Sequence, residues 1–368
     1  MFNNCFKNKK VLITGHTGFK GSWLTMWLKM LGADLVGISK DIPTKVSLFE
    51  EVQLVNKIKH HYININNLEL LKEIFIIEQP DFVFHLAAQP IVSISYKDPI
   101  ETFQTNVIGT LNVLESLKCI KNKCQVILIT SDKCYRNVEW VWGYKENDEL
   151  GGYDPYSASK AAAELVIRSY VHSFFKNNFS NIQITSVRAG NVIGGGDWAE
   201  NRIVPDCMRA WSNNQLVSIR NPNSTRPWQH VLEPLSGYLR LAQLMFDNSK
   251  NLHGESFNFG PNSDQNHSVI DIINELSLYF SKKNKDQYYK LQEQNDFHEA
   301  GLLKLNCDKA LTYLEWKPVL DFKATAKFTS LWYDEFYNKK HNNISDFTIN
   351  QIQDFQNIAK LKGISWSH

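Results

Sequence analysis

Five residues close together in the sequence carry groups that suit proton and hydride chemistry. Ser131, Asp132 and Lys133 follow the apolar run QVILIT, and Tyr156 and Lys160 lie in DPYSASK. On a helix the tyrosine and the second lysine would project from one face, because they are four residues apart. A neighbouring ammonium favours phenolate and predicts a tyrosine pKa below its usual value of about 10. Such a tyrosine can take a hydroxyl proton while a hydride leaves the same carbon.

A glycine-rich loop precedes this stretch. Gly15, Gly18 and Gly21 occur in VLITGHTGFKGSWL, between a predicted strand and a predicted helix. This spacing is related to the one that lets the backbone approach a dinucleotide pyrophosphate at a helix N-terminus. Three glycines at a turn can also form an ordinary loop, but the flanking strand and helix favour dinucleotide binding.

The residues after the second predicted strand leave the choice between NAD and NADP open. A carboxylate here usually accepts hydrogen bonds from the adenosine ribose and rejects a 2′-phosphate. Ser39 and Asp41 can fill part of that role, whereas Lys40 between them would attract a phosphate.

Short apolar runs and longer amphipathic segments alternate along the first half of the chain. Strands are predicted at residues 10–14, 34–38, 61–65, 81–86, 125–130 and 183–187, and helices at residues 20–31, 68–78, 99–118 and 157–175. This alternation is typical of an α/β fold with a Rossmann-type, doubly wound parallel sheet. Residues 131–133 would then lie at the carboxyl edge of the sheet, where such folds bind ligands.

The amino-acid composition changes after Arg188. Segments rich in Gly, Pro, Asn and Trp follow, with shorter predicted helices at residues 205–213 and 232–246. We therefore predict a dinucleotide-binding domain of residues 1–188 and a smaller, mixed α/β substrate-binding lobe of residues 189–368, from which segments can return to the sheet. A cleft between them is the expected ligand site.

Composition excludes several classes of protein. The chain has 368 residues with 40 basic and 38 acidic side chains, so no strong field favours nucleic acid or an anionic membrane. Its six cysteines lack the spacing of a zinc site or a disulfide framework. The apolar run after the polar N-terminus is too short for a signal peptide or a membrane span. We expect a soluble cytoplasmic protein without a metal site.

Longer blocks of sequence resemble the extended short-chain dehydrogenase/reductase family, which contains NAD-dependent epimerases and dehydratases of nucleotide sugars. The blocks are GHTGFKGSWL, HLAAQP, SDKCYRNVEWVWGY, DPYSASK, RAGNVIGGGDWAENRIVPD, RPWQHVLEPLSGYL and HEAGLLKLNCDKA, spread over nearly the whole chain. The tryptophan-containing blocks are the most specific, and they are similar to those of dehydratases that act on CDP-glucose. The resemblance implies a Rossmann domain that carries NAD and a smaller lobe that holds the nucleotide sugar.

The resemblance also implies a reaction without net redox change. Tyr156, assisted by Lys160 and Ser131, would oxidise C4 of CDP-glucose and pass hydride to NAD. Asp132 and Lys133 would act as acid and base, removing the C5 proton and helping the C6 hydroxyl to leave as water. Return of hydride to C6 would give a 4-keto-6-deoxy sugar, a precursor of surface polysaccharide. Many related dehydratases have an Asp-Glu pair where this chain has Asp-Lys.

Binding residues are carried over from the same resemblance. The cofactor would be contacted by Gly15, Thr17, Gly18, Phe19, Gly21, Ser39, Asn64, Ile65, Leu86, Ala87, Ala88, Gln89, Asn106, Tyr156 and Lys160, and the nucleotide sugar by Gln89, Asn191, Arg202, Arg220, Arg226 and His230. Arg188 is a further candidate anion donor, because arginine forks suit diphosphate oxygens.

Alternatives remain open at this level. A 4-epimerase would need only the Ser, Tyr and Lys set, and a dehydratase could act on another nucleotide sugar. A non-catalytic NAD-binding sensor or scaffold would need none of the five reactive residues. Ser93 and Asn64 stand where the resemblance leads us to expect arginine and aspartate, which leaves sugar and nucleotide preference open. Apolar stripes on helices 99–118 and 157–175 suit either a homodimer, alone or as a dimer of dimers, or packing on the sheet.

Overall fold

A seven-stranded parallel sheet forms the centre of the protein. The computed structural model describes residues 1–219, 221–248, 251–281, 288–291, 302–339 and 343–368. The strands are β1 (Lys10–Thr14), β2 (Asp34–Ser39), β3 (Lys59–Tyr62), β4 (Phe82–His85), β5 (Cys124–Ile129), β6 (Ile182–Ala189), β7 (Val192–Ile193), β8 (Val217–Ile219), β9 (Thr225–Arg226), β10 (Gln229–His230), β11 (Ser256–Phe259), β12 (His267–Ser268) and β13 (Tyr289–Leu291). The large sheet has the order β11-β6-β5-β4-β1-β2-β3, and short two-stranded pairs join β10 to β7, β12 to β9 and β13 to β8.

Helices cover both faces of this sheet. They are α1 (Phe19–Met30), α2 (Leu48–Glu51), α3 (Leu68–Glu78), α4 (Val92–Lys97), α5 (Pro99–Phe103), α6 (Gly109–Leu117), α7 (Pro155–Tyr170), α8 (Ile203–Ser212), α9 (Leu232–Phe246), α10 (Val269–Ser277), α11 (Asp308–Leu314), α12 (Phe322–Asn338) and α13 (Ile344–Leu361). Short 3₁₀ turns lie at Phe2–Asn4, Leu54–Asn56, Asp132–Cys134 and Ser365–Ser367, and π-helical turns at Gln104–Ile108 and Val171–Phe175. No helix in the described ranges is long and apolar enough to span a membrane.

The sheet has a separate apolar core on each face. Along β1, Val11 and Ile13 pack in the larger cluster with α1 and α9, whereas Leu12 packs in the other cluster with α3 and α6. Successive side chains of a strand point to opposite faces, so a strand buried on both sides reads as a continuous apolar run. The predicted doubly wound α/β fold is confirmed.

Two local predictions differ from the structure. The third strand lies at Lys59–Tyr62 rather than residues 61–65, because the chain turns at Asn64, whose Oδ1 accepts a hydrogen bond from the Asn66 amide at 3.0 Å. The helix predicted at residues 99–118 is divided by the π-helical turn Gln104–Ile108. Such turns are rare and often occur at functional sites.

The second half of the chain completes the sheet. Strand β11 pairs in parallel with β6, with Phe257 beside Val187, and α9 packs on the same face as α1. The two halves therefore share one core, and the division at residue 188 stays a prediction about ligand binding.

Candidate active site

The start of α7 positions Tyr156 and Lys160. Asp154 caps the helix by accepting a hydrogen bond from the Ser157 amide at 2.9 Å, and Pro155 occupies the first helical position. These are favoured residues for a helix start. On the adjacent helix α4, the Ser95 hydroxyl accepts a hydrogen bond from the Tyr156 amide at 3.2 Å. The tyrosine is thereby fixed in the first helical turn, with Lys160 one turn further on.

The carboxyl end of β5 brings Ser131 and Asp132 to the same place. Ser131 caps the 3₁₀ turn Asp132–Cys134, because its hydroxyl accepts a hydrogen bond from the Lys133 amide at 3.3 Å. The same hydroxyl donates to Asp132 Oδ1 at 2.9 Å, and its influence on the phenol of Tyr156 lowers the pKa of that group. Both Ser131 and Asp132 are buried. One hydroxyl thus links the predicted hydride-transfer group to the predicted acid.

Burial sets the proton affinities of Tyr156 and Lys160. Removal from water raises the pKa of Tyr156 to about 12, although the hydrogen bond from Ser131 and the charge of Arg202 oppose this rise. Burial also lowers the pKa of Lys160 to about 8. The expected lowering of the tyrosine pKa is therefore wrong for the protein alone, because desolvation of the phenolate outweighs the attraction of nearby cations. The Lys160 ammonium lies 6.0 Å from the centre of the Tyr156 ring.

Lys133 is next to Asp132 in the sequence. Its side chain is half-buried, and in the described part of the chain no ion pair joins it to the Asp132 carboxylate. A lysine that only neutralised its neighbour would form such a pair. The predicted role of Lys133 as a base stays a prediction.

Two further residues at this site escaped the sequence analysis. A Cβ atom on Gly190 would overlap the carboxylate of Asp132, so only glycine lets the loop after β6 pass this close. Lys20, in the second position of α1, is influenced by the charges of Arg202, Asp132 and Lys160, and burial lowers its pKa to about 8. A charged residue between the loop glycines was the available signal for Lys20, whereas no sequence pattern marked Gly190.

Arg202 brings the second half of the chain to the catalytic groups. Its Nη1 donates to Asp197 Oδ2 at 2.9 Å, and this carboxylate raises the pKa of the guanidinium. The charge of Arg202 in turn lowers the pKa of Tyr156. About a third of the side chain is exposed, at 35%. An arginine held in this way can offer its remaining donors to an anionic ligand.

The glycine loop leaves the N-terminus of α1 open to an anion. A Cβ atom on Gly15 would lie 2.6 Å from the amide nitrogen of Ala87, and one on Gly21 would overlap the Gly15 carbonyl. The residue before α1 is Gly18, which provides no capping side chain. The first amides of the helix therefore have no side-chain cap, which suits an anion-binding helix start.

Side chains around the end of β2 fix the adenosine end of the predicted cofactor site. Ser39 is buried, and its hydroxyl lies 3.3 Å from His16 Nδ1 and 3.5 Å from the Thr17 amide. Thr17 Oγ1 donates to the Asp41 carbonyl at 2.8 Å. Lys40 forms a solvent-exposed ion pair with Glu101 at 2.9 Å.

The loop after β4 is held by internal hydrogen bonds. Gln89 Nε2 donates to Thr102 Oγ1 at 2.9 Å, and its Oε1 accepts from the Ile91 amide at 2.6 Å. Asn106, in the π-helical turn, accepts from the Gln89 amide at 2.8 Å and donates to Ser159 Oγ at 2.9 Å. Gln89 thus ties the loop to α5, and Asn106 links the loop to α7. The remaining candidates for cofactor contact along this edge differ in burial. Ile65 is buried, and the half-buried ones are Leu86, Ala87, Ala88 and Asn64.

Several predicted substrate contacts have different surroundings. His230 is fully buried between Trp23 and Phe328, which favours a packing role over contact with a substrate. Arg188 forms a buried ion pair with Glu164 at 2.9 Å and is unavailable to a ligand. The half-buried Asn191 has a backbone φ of 49° in the loop after β6.

The two remaining candidates for substrate contact are Arg226 and Arg220. Arg226 is half-buried and donates to the Thr225 carbonyl at 2.8 Å. The predicted contact Arg220 lies outside the described residues. Within those residues no cluster of His, Cys, Asp and Glu has an arrangement that would hold a metal ion.

Comparison with known families agrees with this arrangement. Residues 12–329 match the family described as GDP-mannose 4,6 dehydratase. The chain belongs to this dehydratase family, within the extended short-chain dehydrogenase/reductases. A curated relative, CDP-glucose 4,6-dehydratase of Salmonella typhimurium, is 48% identical over 318 residues, which cover 86% of this chain and 88% of the relative. The UDP-glucose 4-epimerase of Mycoplasma pneumoniae is 25% identical over 350 residues, covering 90% of this chain and 98% of that protein.

Solved structures support the dehydratase family's fold. The UDP-glucose 4-epimerase of Thermotoga maritima, solved with UDP-glucose, superposes with a TM-score of 0.76 at 22% identity, covering 89% of this chain and 99% of the other. The Thermus thermophilus UDP-glucose 4-epimerase in complex with NAD gives a TM-score of 0.74 at 20% identity, with coverage of 89% and 99%.

Proposed function

We propose that this chain is an NAD-dependent CDP-glucose 4,6-dehydratase, a hydro-lyase that forms CDP-4-keto-6-deoxy-D-glucose and water. The observation that carries the proposal is the meeting of Asp132 and Lys133 with Ser131, Tyr156 and Lys160 at one edge of the sheet. The 48% identity to the Salmonella typhimurium enzyme supports CDP-glucose as the substrate.

The cofactor site suits a dinucleotide. The uncapped N-terminus of α1 fits a pyrophosphate, and the loop is held close to the Ala87 backbone at Gly15. The Lys40–Glu101 ion pair is compatible with NAD, because the Glu101 carboxylate offsets part of the lysine charge that would attract a 2′-phosphate. When bound, NAD accepts hydride from C4 and returns it to C6.

The residues of the chain supply the proton transfers. Tyr156 takes the proton of the C4 hydroxyl, and the Lys160 ammonium, whose pKa is about 8, favours the phenolate that does so. The C4 ketone acidifies the C5 hydrogen, which Lys133 removes. Asp132 faces the departing C6 hydroxyl and supplies its proton. A 4-epimerase has no elimination to catalyse, so it would not need the last two groups.

The nucleotide sugar is held by the cleft between the sheet and the second half of the chain. Arg202, fixed by Asp197 beside Tyr156, is suited to contact the diphosphate or the sugar. Asn191 and Arg226 lie on neighbouring segments after β6 and at β9. Ser93 lies half-buried on α4, the helix that contacts the Tyr156 amide, so a changed side chain at this position can alter sugar preference.

We also propose a homodimer that works in the cytoplasm. Ile100, Phe103 and Ile108 on the α5–α6 segment and Leu165 on α7 are 70%, 39%, 48% and 54% exposed, and form an apolar surface that a second copy can cover. The six cysteines are all free, as expected in a reducing compartment. The product would feed deoxysugar synthesis for a surface polysaccharide.

One assay tests the proposed activity. The purified protein and NAD are incubated with one nucleotide sugar at a time: CDP-glucose, dTDP-glucose, UDP-glucose or GDP-mannose. The product masses are measured by mass spectrometry. Loss of one water from CDP-glucose is the expected result. Water loss from only one of the other nucleotide sugars would identify that sugar as the substrate. Isomerisation without water loss would identify an epimerase. No conversion of any of them would favour a sensor or scaffold.

A further inference from the structure

The tyrosine two residues after Lys133 ties the turn that carries this lysine to the central sheet. Tyr135 is 1% exposed, and its hydroxyl accepts a hydrogen bond from Arg188 Nη1 at 2.7 Å and donates one to Asn258 Oδ1 at 2.8 Å. Arg188 belongs to β6 and Asn258 to β11. One hydroxyl therefore joins the segment after β5 to the two strands at this end of the sheet.

The direction of both hydrogen bonds is set by the partners. Arg188 can only donate, because a guanidinium has no acceptor atom. Asn258 Nδ2 donates to the Tyr144 carbonyl at 2.9 Å and to the Asn306 carbonyl at 3.1 Å, which leaves its Oδ1 to accept. The Tyr135 hydroxyl has one hydrogen, and Asn258 receives it. A phenylalanine at position 135 would lose both bonds and keep the ring.

A different set of contacts holds the upstream end of the turn. The Ser131 hydroxyl accepts from the Lys133 amide at 3.3 Å and donates to Asp132 Oδ1 at 2.9 Å. The Asp132 carboxylate in turn lies against the backbone of Gly190. Loss of the Tyr135 hydroxyl removes none of these contacts. It would loosen the downstream end of the turn, next to Lys133.

We propose that Tyr135 is a positioning residue for the elimination: its hydroxyl holds the turn so that Lys133 meets the C5 proton of the sugar. The inference rests on the proposed function. Oxidation at C4 depends on Ser131, Tyr156 and Lys160, which are positioned by β5 and α7, so it does not require this hydroxyl. A displacement of about 1 Å can slow an enzymatic step by about 100-fold.

The rival explanation is that backbone hydrogen bonds hold this segment unaided. The Gly151 amide donates to the Cys134 carbonyl at 2.8 Å. The Arg136 amide donates to the Glu149 carbonyl at 2.9 Å. These bonds tie the segment to residues of its own loop, whereas the tyrosine hydroxyl ties it to the sheet. If they sufficed, removal of the hydroxyl would lower stability without separating oxidation from elimination.

The test compares Tyr135→Phe with wild type, as full-length proteins with NAD and CDP-glucose. In single turnovers with enzyme in excess, the absorbance of the reduced nicotinamide follows oxidation, and mass spectrometry of quenched samples follows water loss. The ratio of the two rates does not depend on the fraction of enzyme that is folded. We expect an unchanged rate of oxidation in Tyr135→Phe and water loss slower by about 10- to 100-fold, so that reduced nicotinamide accumulates.

Thr348→Val is the matched control. The Thr348 hydroxyl on α13 is also buried; it accepts a hydrogen bond from Trp332 Nε1 at 2.9 Å and donates one to the Ile344 carbonyl at 2.8 Å. Valine keeps the shape of the side chain and removes both bonds. The ratio of rates should stay at its wild-type value. For a folded Tyr135→Phe, an equal fall in both rates, or no change in either, would overturn the positioning role.

A measurement on the wild-type protein does not depend on a variant that folds. The amides of Lys133, Cys134 and Tyr135 donate within the turn at 3.3, 3.2 and 3.3 Å. If the turn is held before the sugar binds, these amides should exchange with heavy water much more slowly than those of an unstructured peptide. Exchange at the unstructured rate in enzyme without sugar would overturn the proposal. Failure of wild type to release water from any nucleotide sugar would instead overturn the proposed function.

Discussion

The carboxylate of Asp132 lies directly against the backbone of Gly190, with no room for a Cβ atom between them. This contact joins the end of β5 to the loop after β6, two segments nearly 60 residues apart in sequence, 132 and 190. It fixes the direction in which the proposed acid points.

Gly190→Ala should therefore move Asp132 away from the sugar. We expect water loss to fall by about 100-fold or more, because a positioned acid contributes that much, and thermal unfolding to show a loss of about 1–3 kcal/mol from overpacking. Gly260→Ala is the matched control, since a Cβ atom there would meet its nearest neighbours at 3.6 Å. Equal activity of the two variants would show that the position of Asp132 is unimportant.

Lys133→Met should separate oxidation from elimination. The variant keeps Ser131, Tyr156 and Lys160, so CDP-glucose should still reduce bound NAD, visible in the absorbance of the reduced nicotinamide. Loss of water should be slower by about 100-fold or more, because the base is gone. Unchanged turnover would remove Lys133 from the mechanism.

Lys160→Met should stabilise the protein while abolishing oxidation. Burial lowers the pKa of Lys160 from 10.5 to about 8, so between these values the unfolded chain holds a proton that the folded protein has lost. The contribution of this lysine to stability therefore rises with pH through that window and is smallest below about pH 8. Below about pH 8, keeping the buried Lys160 charged lowers the free energy of unfolding by about 3 kcal/mol.

Lys160→Met should therefore have a higher free energy of unfolding than wild type near neutral pH, and this gain should fade above about pH 10. Urea unfolding experiments measure the gain. Lys133→Met is the control, since that side chain is only half-buried. A Lys160→Met protein no more stable than wild type near neutral pH would contradict the argument.

Glu164→Gln should destabilise the protein without touching the sugar site. Glu164 and Arg188 form a buried pair whose side chains are each 3% exposed, with hydrogen bonds of 3.0 and 2.9 Å. Removing one charge of such a pair costs about 3–5 kcal/mol, because the other stays buried alone. Urea unfolding measures this loss. The double change Glu164→Leu with Arg188→Met should recover much of it; a double variant as unstable as the single one would contradict this explanation.

Ile100→Glu should weaken the proposed homodimer. Ile100 is 70% exposed in the single chain, so the change removes little internal packing, but it would place a charge in the apolar surface of α5 and α6. Light scattering after size-exclusion chromatography should show a shift toward monomer. Ile77→Glu, at a similarly exposed isoleucine (69%) on α3, should leave the mass unchanged. A monomeric wild type would exclude the homodimer.

Sequence patterns located the reactive groups because those groups lie at strand and helix ends. Ser131 and Asp132 follow an apolar run, and Tyr156 lies just after the Asp154 cap, so local signals placed all three. The sequence did not reveal the contact of Gly190 with Asp132, because it depends on two loops that meet only in the folded sheet. The direction of the Tyr156 pKa change was likewise unpredictable, since it depends on how completely neighbouring elements exclude water.

Strand β11 has a consequence for synthesis of the protein on the ribosome. Residues 1–189 contain six strands of the sheet, yet the outer side of β6 stays uncovered until residues 256–259 have been made. An uncovered strand of this kind can pair with another chain. The nascent polypeptide therefore exposes an unpaired strand edge while about 70 more residues are translated. Chaperone binding during that interval would favour soluble enzyme.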